Sequence, residues 1–352
     1  MRGRRRPTLE MVAERAGVGR GTVSRVINGS ASVSELTRRA VLQAVADLGY
    51  VPNQAARTLV TRRTDTVALV ASEPHERVFA EPFFAQVVKG ISGVLNERGL
   101  QLLLSMVASG AEQERASQYL TRDHVDGVLL VSEHRDDPLS ARLAESGVPC
   151  VHGGRPLGRA RERLSYVDID NVGGGYMATR HLLASGRHAV ATITGPQDMV
   201  AGVERLRGYE RALRETGHQP VPERIATGDF SYDGGARAMR ELLRTAPDLD
   251  GVFVASDLMA MAALRVLRDA GRTVPGDVAV VGYDDIPFAL HADPPLTTVH
   301  QPAEQMGQEM ARLLVDRISQ TTGRHSANGS PEEVAEEAAV VLDTHLVVRD
   351  TA

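Results

Sequence analysis

The stretch TLEMVAERAGVGRGTVSRVINGSASVSELTRRAVLQAVADLG, residues 8–49, decides the fold of the N-terminal part of the chain. Thr8 predicts the start of a short helix that runs to about Ala16, because a threonine hydroxyl can accept a hydrogen bond from the first helical turn. The segment GVG, residues 17–19, then interrupts the helical pattern, and a second helix is predicted over residues 20–28. Two short helices joined by a tight glycine turn are typical of a helix-turn-helix unit.

The second predicted helix has an apolar side and a polar side. Val23, Val26 and Ile27 recur at helical spacing and are expected to face a core. A third helix, from Ser34 to Gly49, keeps the same kind of spacing and completes the unit. In such a unit the polar side of the second helix lies in the major groove of DNA, where arginine can donate two hydrogen bonds to guanine. The residues predicted to contact DNA are Thr8, Arg20, Gly21, Thr22, Ser24, Arg25 and Asn28, with Arg20 and Arg25 as base readers.

The charge distribution separates a basic head from an acidic body. Residues 1–63 contain 12 arginines and 4 acidic residues, which leaves 28 basic and 41 acidic residues in the rest of the chain. A basic segment of this kind favours contact with nucleic acid or anionic lipid, and an acidic body favours solubility. A pair of arginines such as Arg20 and Arg25, taken alone, is more typical of the exposed surface of a small helical domain, and only the rest of the segment favours DNA contact.

Composition and motifs argue against several other classes of protein. The chain has 352 residues, 42% of them hydrophobic and 24% charged, as in folded proteins of two or three domains. Its one cysteine, Cys150, allows neither an intramolecular disulfide nor a multi-cysteine metal site. The absence of a secretory signal and of an apolar stretch of roughly 18 residues predicts a cytoplasmic protein without a membrane segment. Metalloprotease, serine-hydrolase and phosphate-loop motifs are missing, so the sequence predicts no enzyme, no catalytic residue, no cofactor and no metal site.

The rest of the chain alternates between strand and helix patterns. From Thr66 onward, β-branched runs such as TVALVA, DGVLLVS and DGVFVAS are separated by amphipathic stretches. This alternation predicts parallel sheets covered by helices, in two similar lobes. Because doubly wound lobes bind ligands at the carboxyl ends of their strands, the polar residues that end these runs are the candidate site.

Residues 8–64 as a whole resemble the DNA-binding head of the lactose/galactose-repressor (LacI/GalR) family. The family pairs an all-α helix-turn-helix head with an α/β, two-lobed, periplasmic-binding-protein-like body of parallel sheets, and the resemblance implies the same architecture here. The expected parts are a helix-turn-helix domain at 1–51, a hinge helix at 52–64 and a body at 65–352. Within the body, lobe 1 is expected at about 65–163 and 294–323, and lobe 2 at about 164–293 and 324–352.

The expected hinge helix is the segment PNQAARTLVTRRT, residues 52–64. The resemblance implies that two such helices, one per subunit, fold together in the minor groove and push a pair of leucines into a base step. Leu59 matches the wedge leucine, and Asn53, Ala56 and Arg57 would contact the backbone and the groove. A segment of about ten residues is too short to hold as an isolated helix in water, so it is expected to order on DNA. A simple linker is the alternative.

The resemblance also implies an effector site between the lobes. It aligns the family's effector-binding arginine with Arg205 and places an aromatic residue at Phe230. Arginine and aspartate can bridge neighbouring hydroxyls, and aromatic faces pack on sugar CH groups, so a saccharide fits best. The expected effector-binding residues are Ser72, Phe83, Phe84, Ser132, Arg155, Arg205, Phe230, Ser256, Asp257, Asp284 and Gln301.

Several of these residues have a structural alternative. Phe83 and Phe84 could belong to the core, Asp284 could cap or pair locally, and Arg205 could form an inter-lobe salt bridge. A purine-responsive or corepressor-controlled regulator of the same family, or a sugar-binding transport protein, is the alternative function.

The resemblance implies a transcriptional repressor that binds palindromic double-stranded operator DNA as a homodimer. Effector binding would change the angle of the first lobes and separate the hinge helices, so that operator affinity falls. No leucine heptad ends the chain, which favours a dimer over a tetramer. The segment SEPHERVFAEPFF, residues 72–84, resembles actinobacterial regulators of cellobiose and related oligosaccharide use.

Overall fold

The computed structural model divides the chain into two compact units, Met1–Thr64 and Asp65–Ala352. We call the first unit the head and the second unit the body. The described residues are 7–27, 32–51, 63–156, 164–324 and 338–352, with the backbone alone for 321–324.

The described part of the head consists of helices whose ends are fixed by local capping residues. Thr8 accepts a hydrogen bond from the Met11 amide at the start of the first helix, and Gly17 ends that helix in the left-handed region at φ 67°. Ser34 and Gly49 cap the third helix in the same way. The helices are α1 (Leu9–Ala16), α2 (Arg20–Ile27) and α3 (Glu35–Leu48).

A small apolar core joins these helices. Val12 of α1, Val23 of α2 and Val41 of α3 are fully buried in one cluster, as their helical spacing predicts. Leu36 shares the apolar spacing of α3 in the sequence but is 83% exposed. It lies in the first turn of α3, whereas the buried residues of that helix, Val41 and Ala44, lie one to two turns further on.

The first lobe of the body is a parallel sheet with apolar clusters on both faces. Its strands are β1 (Thr66–Ala71), β2 (Gln101–Met106), β3 (Gly127–Val131), β4 (Cys150–Gly153), β5 (Tyr166–Ile169) and β11 (Ala339–Leu342). Their order across the sheet is β11-β5-β4-β3-β1-β2. Its helices are α4 (His75–Ala80), α5 (Pro82–Glu97), α6 (Gly110–Tyr119), α7 (Leu139–Ser146) and α12 (Ala303–Arg324).

The second lobe repeats this plan with one antiparallel strand. Its strands are β6 (Val190–Thr194), β7 (Ile225–Thr227), β8 (Gly251–Val254), β9 (Ala279–Asp284), β10 (Thr297–His300) and β12 (His345–Val347). Their order is β12-β10-β9-β8-β6-β7, with β12 antiparallel to β10. Its helices are α8 (Asn171–Ala184), α9 (Val200–Glu215), α10 (Tyr232–Thr245) and α11 (Asp257–Asp269). No helix in the described ranges is long and apolar enough to cross a membrane.

The lobe boundaries differ from the predicted ones. β5 and β11 pair in the first sheet although residues 164–293 and 324–352 were assigned to lobe 2, and β10 pairs in the second sheet although residues 294–323 were assigned to lobe 1. The predicted lobe boundaries near residues 163, 293 and 323 are therefore wrong. The chain passes between lobes at residues 170, 301–302 and 343–344, directly after β5, β10 and β11. Connections of one or two residues are too short to show the composition of a loop in the sequence.

Candidate functional site

A cleft lies between the two sheets of the body, at the carboxyl ends of their strands. It has a volume of about 160 Å³. Its wall includes residues that follow β3, β4 and β5 in the first lobe and residues that follow β6 to β10 in the second. This is the position at which doubly wound lobes bind their ligands.

Arg205 on α9 organises the second-lobe wall and is 5% exposed. Its Nε donates to Asn171 Oδ1 at 2.9 Å, its Nη1 to the Ala255 carbonyl oxygen at 2.6 Å, and its Nη2 to Gln301 Oε1 at 3.2 Å. The guanidinium carbon also lies 3.6 Å from the centroid of the Tyr283 ring, a distance typical of a cation–π contact. The side chain is therefore fixed in orientation before a ligand arrives.

Asp284 faces Arg205 at the end of β9. Its Oδ1 lies 3.5 Å from Arg205 Nη1 and accepts a hydrogen bond from Gln301 Nε2 at 2.5 Å. Burial raises the pKa of Asp284 above its ordinary value, and the Arg205 charge opposes that shift. Arg205 and Asp284 both belong to the second lobe, so the pair is not the inter-lobe salt bridge considered as an alternative. A guanidinium and a carboxylate held side by side can bridge two hydroxyls of one ligand.

Arg155 and Asp168 form a second pair, in the first-lobe wall. Arg155 Nε lies 3.4 Å from Asp168 Oδ2, and Arg155 Nη1 lies 3.5 Å from Glu204 Oε1 across the cleft. Among the described residues, neither Arg155 Nε nor Asp168 Oδ2 has a hydrogen-bond partner. Burial raises the pKa of Asp168 to about 6, with Glu204 adding to the shift and Arg155 opposing it. Buried groups of this kind are stabilised by a partner, which ligand hydroxyls can supply.

Arg77 and Glu81 form a third pair at the mouth of the cleft. Arg77 Nε donates to Glu81 Oε1 at 2.6 Å. Burial raises the pKa of Glu81 to about 7, and the Arg77 charge opposes the shift. The Phe230 ring lies between two guanidinium groups, with its centroid 5.2 Å from the Arg77 carbon and 5.7 Å from the Arg205 carbon.

Three residues of the cleft wall have a backbone conformation that side-chain-bearing residues rarely adopt. Their φ angles are 60° at Ser132, 65° at Phe230 and 118° at Asp284. Such a conformation costs on the order of 1–3 kcal/mol per residue and persists where surrounding contacts enforce it. Strain concentrated at three strand ends that face one cleft is typical of a functional site.

Nine of the eleven predicted effector residues line the cleft. They are Phe83, Phe84, Ser132, Arg155, Arg205, Phe230, Ser256, Asp284 and Gln301. Phe83 and Phe84 pack edge to face at 5.4 Å. Phe84 belongs to the first-lobe core as well as to the wall, so the core alternative holds in part for this residue.

Ser72 and Asp257 do not line the cleft, which corrects the prediction for both. The Ser72 hydroxyl donates to the Asp137 carboxylate inside the first lobe. Asp257 is fully buried and accepts hydrogen bonds from Thr298 Oγ1 at 2.6 Å and from the Ile286 amide at 2.9 Å. Burial raises the pKa of Asp257 well above its ordinary value. Its carboxyl group links the start of α11 to β10 by a hydrogen bond, and the side chain is buried away from the cleft.

Sequence reasoning missed several residues of the wall. The spacing of Arg77 and Glu81, four residues apart in SEPHERVFAE, was the available signal for the third pair. Asp168 and Asn171 lie at the end of the strand pattern in VDIDN. They could have been selected because ligands bind at the carboxyl ends of the strands in doubly wound lobes. The missed wall residues that bear on the geometry are Arg77, Glu81, His134, Asp168, Asn171 and Met199.

The predicted DNA-reading face of α2 is polar and exposed. Arg20 pairs with Glu10 of α1 at 3.1 Å. Arg25 lies along its own helix, with Nε donating to the Gly21 carbonyl oxygen at 3.3 Å and Nη2 to Thr22 Oγ1 at 3.4 Å. The Ser24 side chain is half-buried, and the Thr8 hydroxyl caps α1. Asn28, Asn53, Ala56, Arg57 and Leu59 lie outside the described residues.

In the described ranges no cluster of histidine, cysteine or acidic side chains has the arrangement of a metal site. The cleft instead offers fixed donors and acceptors beside an aromatic ring. Its chemistry is therefore that of binding a polyhydroxylated ligand.

Comparison with known proteins addresses both units. The profile of bacterial regulatory proteins of the lacI family matches residues 8–53, and that of a periplasmic binding protein-like domain matches residues 179–352. The HTH-type transcriptional regulator CelR of Thermobifida fusca is 61% identical over 351 residues, covering 100% of both chains. The HTH-type transcriptional repressor PurR of Proteus mirabilis strain HI4320 is 36% identical over 314 residues, covering 88% of this chain and 90% of its own.

Solved structures agree with these relatives. A CelR–cellobiose complex aligns with a TM-score of 0.77 at 58% identity, covering 99% of this chain and 100% of the other. A lac repressor dimer bound to operator and the anti-inducer ONPF aligns with a TM-score of 0.83 at 28% identity, covering 99% of both chains. These matches confirm the predicted architecture of helix-turn-helix head and two-lobed α/β body. The chain belongs to the lacI family of bacterial regulatory proteins.

Proposed function

We propose that this chain is a transcriptional repressor whose affinity for operator DNA is controlled by a saccharide, with cellobiose or a related oligosaccharide as the effector. The observation that carries the proposal is the cleft itself. Arginine–carboxylate pairs at Arg77, Arg155 and Arg205 lie in its wall, and the Arg77 and Arg205 guanidinium groups lie against the Phe230 ring. A sugar presents neighbouring hydroxyls to such pairs and its CH groups to such a ring.

The charge balance of the wall supports a neutral effector. Each of the three arginines faces at least one carboxylate: Arg205 faces Asp284, Arg77 faces Glu81 and Glu73, and Arg155 faces Asp168 and Glu204. A phosphorylated sugar or a nucleotide would need unbalanced positive charge to offset its desolvation. The relative that is 61% identical is named CelR, and a CelR structure contains cellobiose, which supports the same assignment.

The purine alternative has weaker support, because the PurR relative is 36% identical and the CelR relative 61%. A transport protein would not need the helix-turn-helix head. That the chain is not an enzyme stays a prediction.

The proposal includes the DNA side of the mechanism. Two chains would bind palindromic operator DNA in the cytoplasm, with α2 in the major groove and Leu59 of the hinge in the minor groove. The effector must bind the DNA-free form more tightly than the DNA-bound form. By linkage, the difference between these two binding free energies equals the free energy that the effector removes from DNA binding, typically about 1–3 kcal/mol. We propose that the effector acts on the expected hinge at residues 52–64, where one short helix per chain would form on DNA.

The test is an electrophoretic mobility shift on palindromic DNA from upstream of the chain's own gene or neighbouring genes. Mono- and disaccharides, including cellobiose, and purines are added one at a time. Release by cellobiose or a related oligosaccharide is expected. Release by a purine alone, or tighter binding with cellobiose, would contradict the proposal.

A further inference from the structure

Glu73 is a buried carboxylate directly behind the mouth of the cleft, and the effector prediction did not include it. It follows β1 and is 2% exposed. Its Oε1 accepts from Ser132 Oγ at 2.7 Å and pairs with Arg77 Nη1 at 2.7 Å and with His134 Nε2 at 3.3 Å. Three first-lobe side chains are therefore held by one carboxylate oxygen.

Two of these partners also reach the second lobe. His134 Nδ1 lies 2.7 Å from Asp198 Oδ2, in the loop between β6 and α9. Arg77 Nη2 lies 4.0 Å from the Met199 sulfur, and its guanidinium group covers the Phe230 ring. The backbone of the adjacent residue adds a contact, because the Arg135 amide donates to the Asp198 carbonyl oxygen at 2.8 Å.

We infer that Glu73 is a positioning residue that orients Arg77 and His134 to hold the second lobe, so that closure of the cleft over an effector depends on it. The inference rests on the proposed function of the cleft as the effector site. Glu73 itself has no place in the cleft wall, which includes Arg77, His134 and Met199.

The protonation of His134 supports this geometry. The Glu73 carboxylate, and secondarily Asp198, raise the pKa of His134 to about 9, although burial opposes them. A neutral imidazole has one N–H and could donate to only one carboxylate, whereas the protonated ring donates to both. The charged groups around this ring are Glu73, which follows β1, Arg77 of α4, which acts through Glu73, and Asp198 in the loop before α9. At neutral pH the ring therefore links the lobes.

The two carboxylates differ in what their removal should cost. Glu73 is buried, and its loss leaves two cationic side chains without their shared acceptor. The Asp198 side chain is 54% exposed, and pairs of this kind contribute little. We expect Glu73→Gln to weaken cellobiose binding about tenfold and Asp198→Asn about threefold.

Isothermal titration of the full chain with cellobiose measures these effects. The Glu73→Gln/Asp198→Asn double variant should bind about as weakly as Glu73→Gln alone, because both act through His134. Glu304→Gln is the matched control, since Glu304 pairs with Lys89 at 2.7 Å entirely within the first lobe. Wild-type affinity in Glu73→Gln, or independent, multiplying losses in the double variant, would overturn the inference.

A ligand-free measurement separates this inference from the proposed function. In the protein with carbon-13-labelled histidine, the His134 signal, assigned with His134→Gln, should titrate near pH 9 and shift to lower pH in both Glu73→Gln and Asp198→Asn. An unchanged titration in Asp198→Asn would mean that His134 does not contact the second lobe and would overturn the inference. If the wild type does not bind cellobiose, the effector assignment fails, and this titration still decides the role of Glu73.

Discussion

The head and the cleft both present arginines to a ligand, but they hold them in opposite ways. Arg20 and Arg25 of α2 are exposed, and their partners lie on their own or the neighbouring helix of the head. Arg205 is buried and contacts Asn171, Ala255, Gln301, Asp284 and Tyr283.

The difference follows from what each surface has to bind. Arginine side chains that contact DNA phosphates and bases must leave their partners in the free protein. Weak local partners that are easily exchanged allow this in the head. A small neutral ligand offers few contacts, and its affinity depends on groups that are already in place. Substitutions in the head should therefore reduce binding alone, and substitutions in the cleft should reduce both binding and stability.

The largest expected effect is that of Arg205→Ala. Removing the guanidinium group leaves the buried Asp284 carboxyl without its charged partner, and we expect the free energy of unfolding to fall by about 3–5 kcal/mol. Urea unfolding of the full chain measures this loss. Arg214→Ala is the control, because Arg214 pairs with Glu210 on the exposed side of the same helix. Equal unfolding free energies of the two variants would contradict the claim that the cleft arginine contributes more to stability than an exposed arginine.

The second prediction concerns pH. The pKa of Glu81 is about 7 in the folded protein and near 4.5 without its surroundings. Folding thus favours the protonated carboxyl, and this stabilisation is present below pH 4.5 and lost as the pH rises through 7. The unfolding free energy of wild type should fall relative to Glu81→Gln by about 3 kcal/mol across this window.

Unfolding curves at several pH values between 4 and 8 test this difference. Glu10 and Asp47 in the head should have the opposite effect, because hydrogen bonds lower the pKa of both carboxyl groups in the folded state. Their contribution to stability should be lost as the pH falls. A stability difference between wild type and Glu81→Gln that does not change with pH would show that burial does not control this carboxyl.

The third prediction is for Arg25→Ala in the head. A bidentate contact from arginine to guanine contributes about 1–3 kcal/mol of discrimination, so specific operator affinity should fall at least about fivefold. The midpoint of thermal unfolding should stay that of wild type, because Arg25 is exposed. Fluorescence anisotropy with labelled operator measures the loss, and Arg39→Ala removes the same charge from α3 as a control. An equal loss of sequence discrimination in both variants would argue against base reading by Arg25.

The smallest effect is expected for Leu59→Ala in the hinge segment. If Leu59 enters a base step, its truncation should weaken specific binding by about 1 kcal/mol and reduce the bend of the operator. A circular-permutation mobility shift reports the bend, and thermal unfolding should be unchanged. Wild-type affinity and bend in this variant would contradict the wedge role.

The sequence predicted best those features that local chemistry determines. The helix ends of the head follow from Thr8, Gly17, Ser34 and Gly49, which act within one turn of the chain. The choice of polar residues at predicted strand ends identified most of the predicted effector residues that line the cleft. It did so because parallel strands bring their carboxyl ends to one edge of the sheet.

Features that depend on distant contacts could not be predicted. Asp257 and Asp284 both follow buried strands, yet only Asp284 faces the cleft, because Thr298 and the Ile286 amide turn Asp257 inward. The link from Glu73 through His134 to Asp198 joins residues far apart in sequence. The lobe crossings were misplaced because they consist of one or two residues without a loop signal.

The central claim is that one chain reads DNA with the head and senses a saccharide with the cleft. The most direct measurement is operator affinity with and without cellobiose for wild type, Arg25→Ala and Arg205→Ala. We predict that cellobiose weakens wild-type binding, that Arg205→Ala binds operator but no longer responds, and that Arg25→Ala binds weakly at any cellobiose concentration. Normal release of Arg205→Ala by cellobiose, or wild-type operator affinity unaffected by it, would contradict the account.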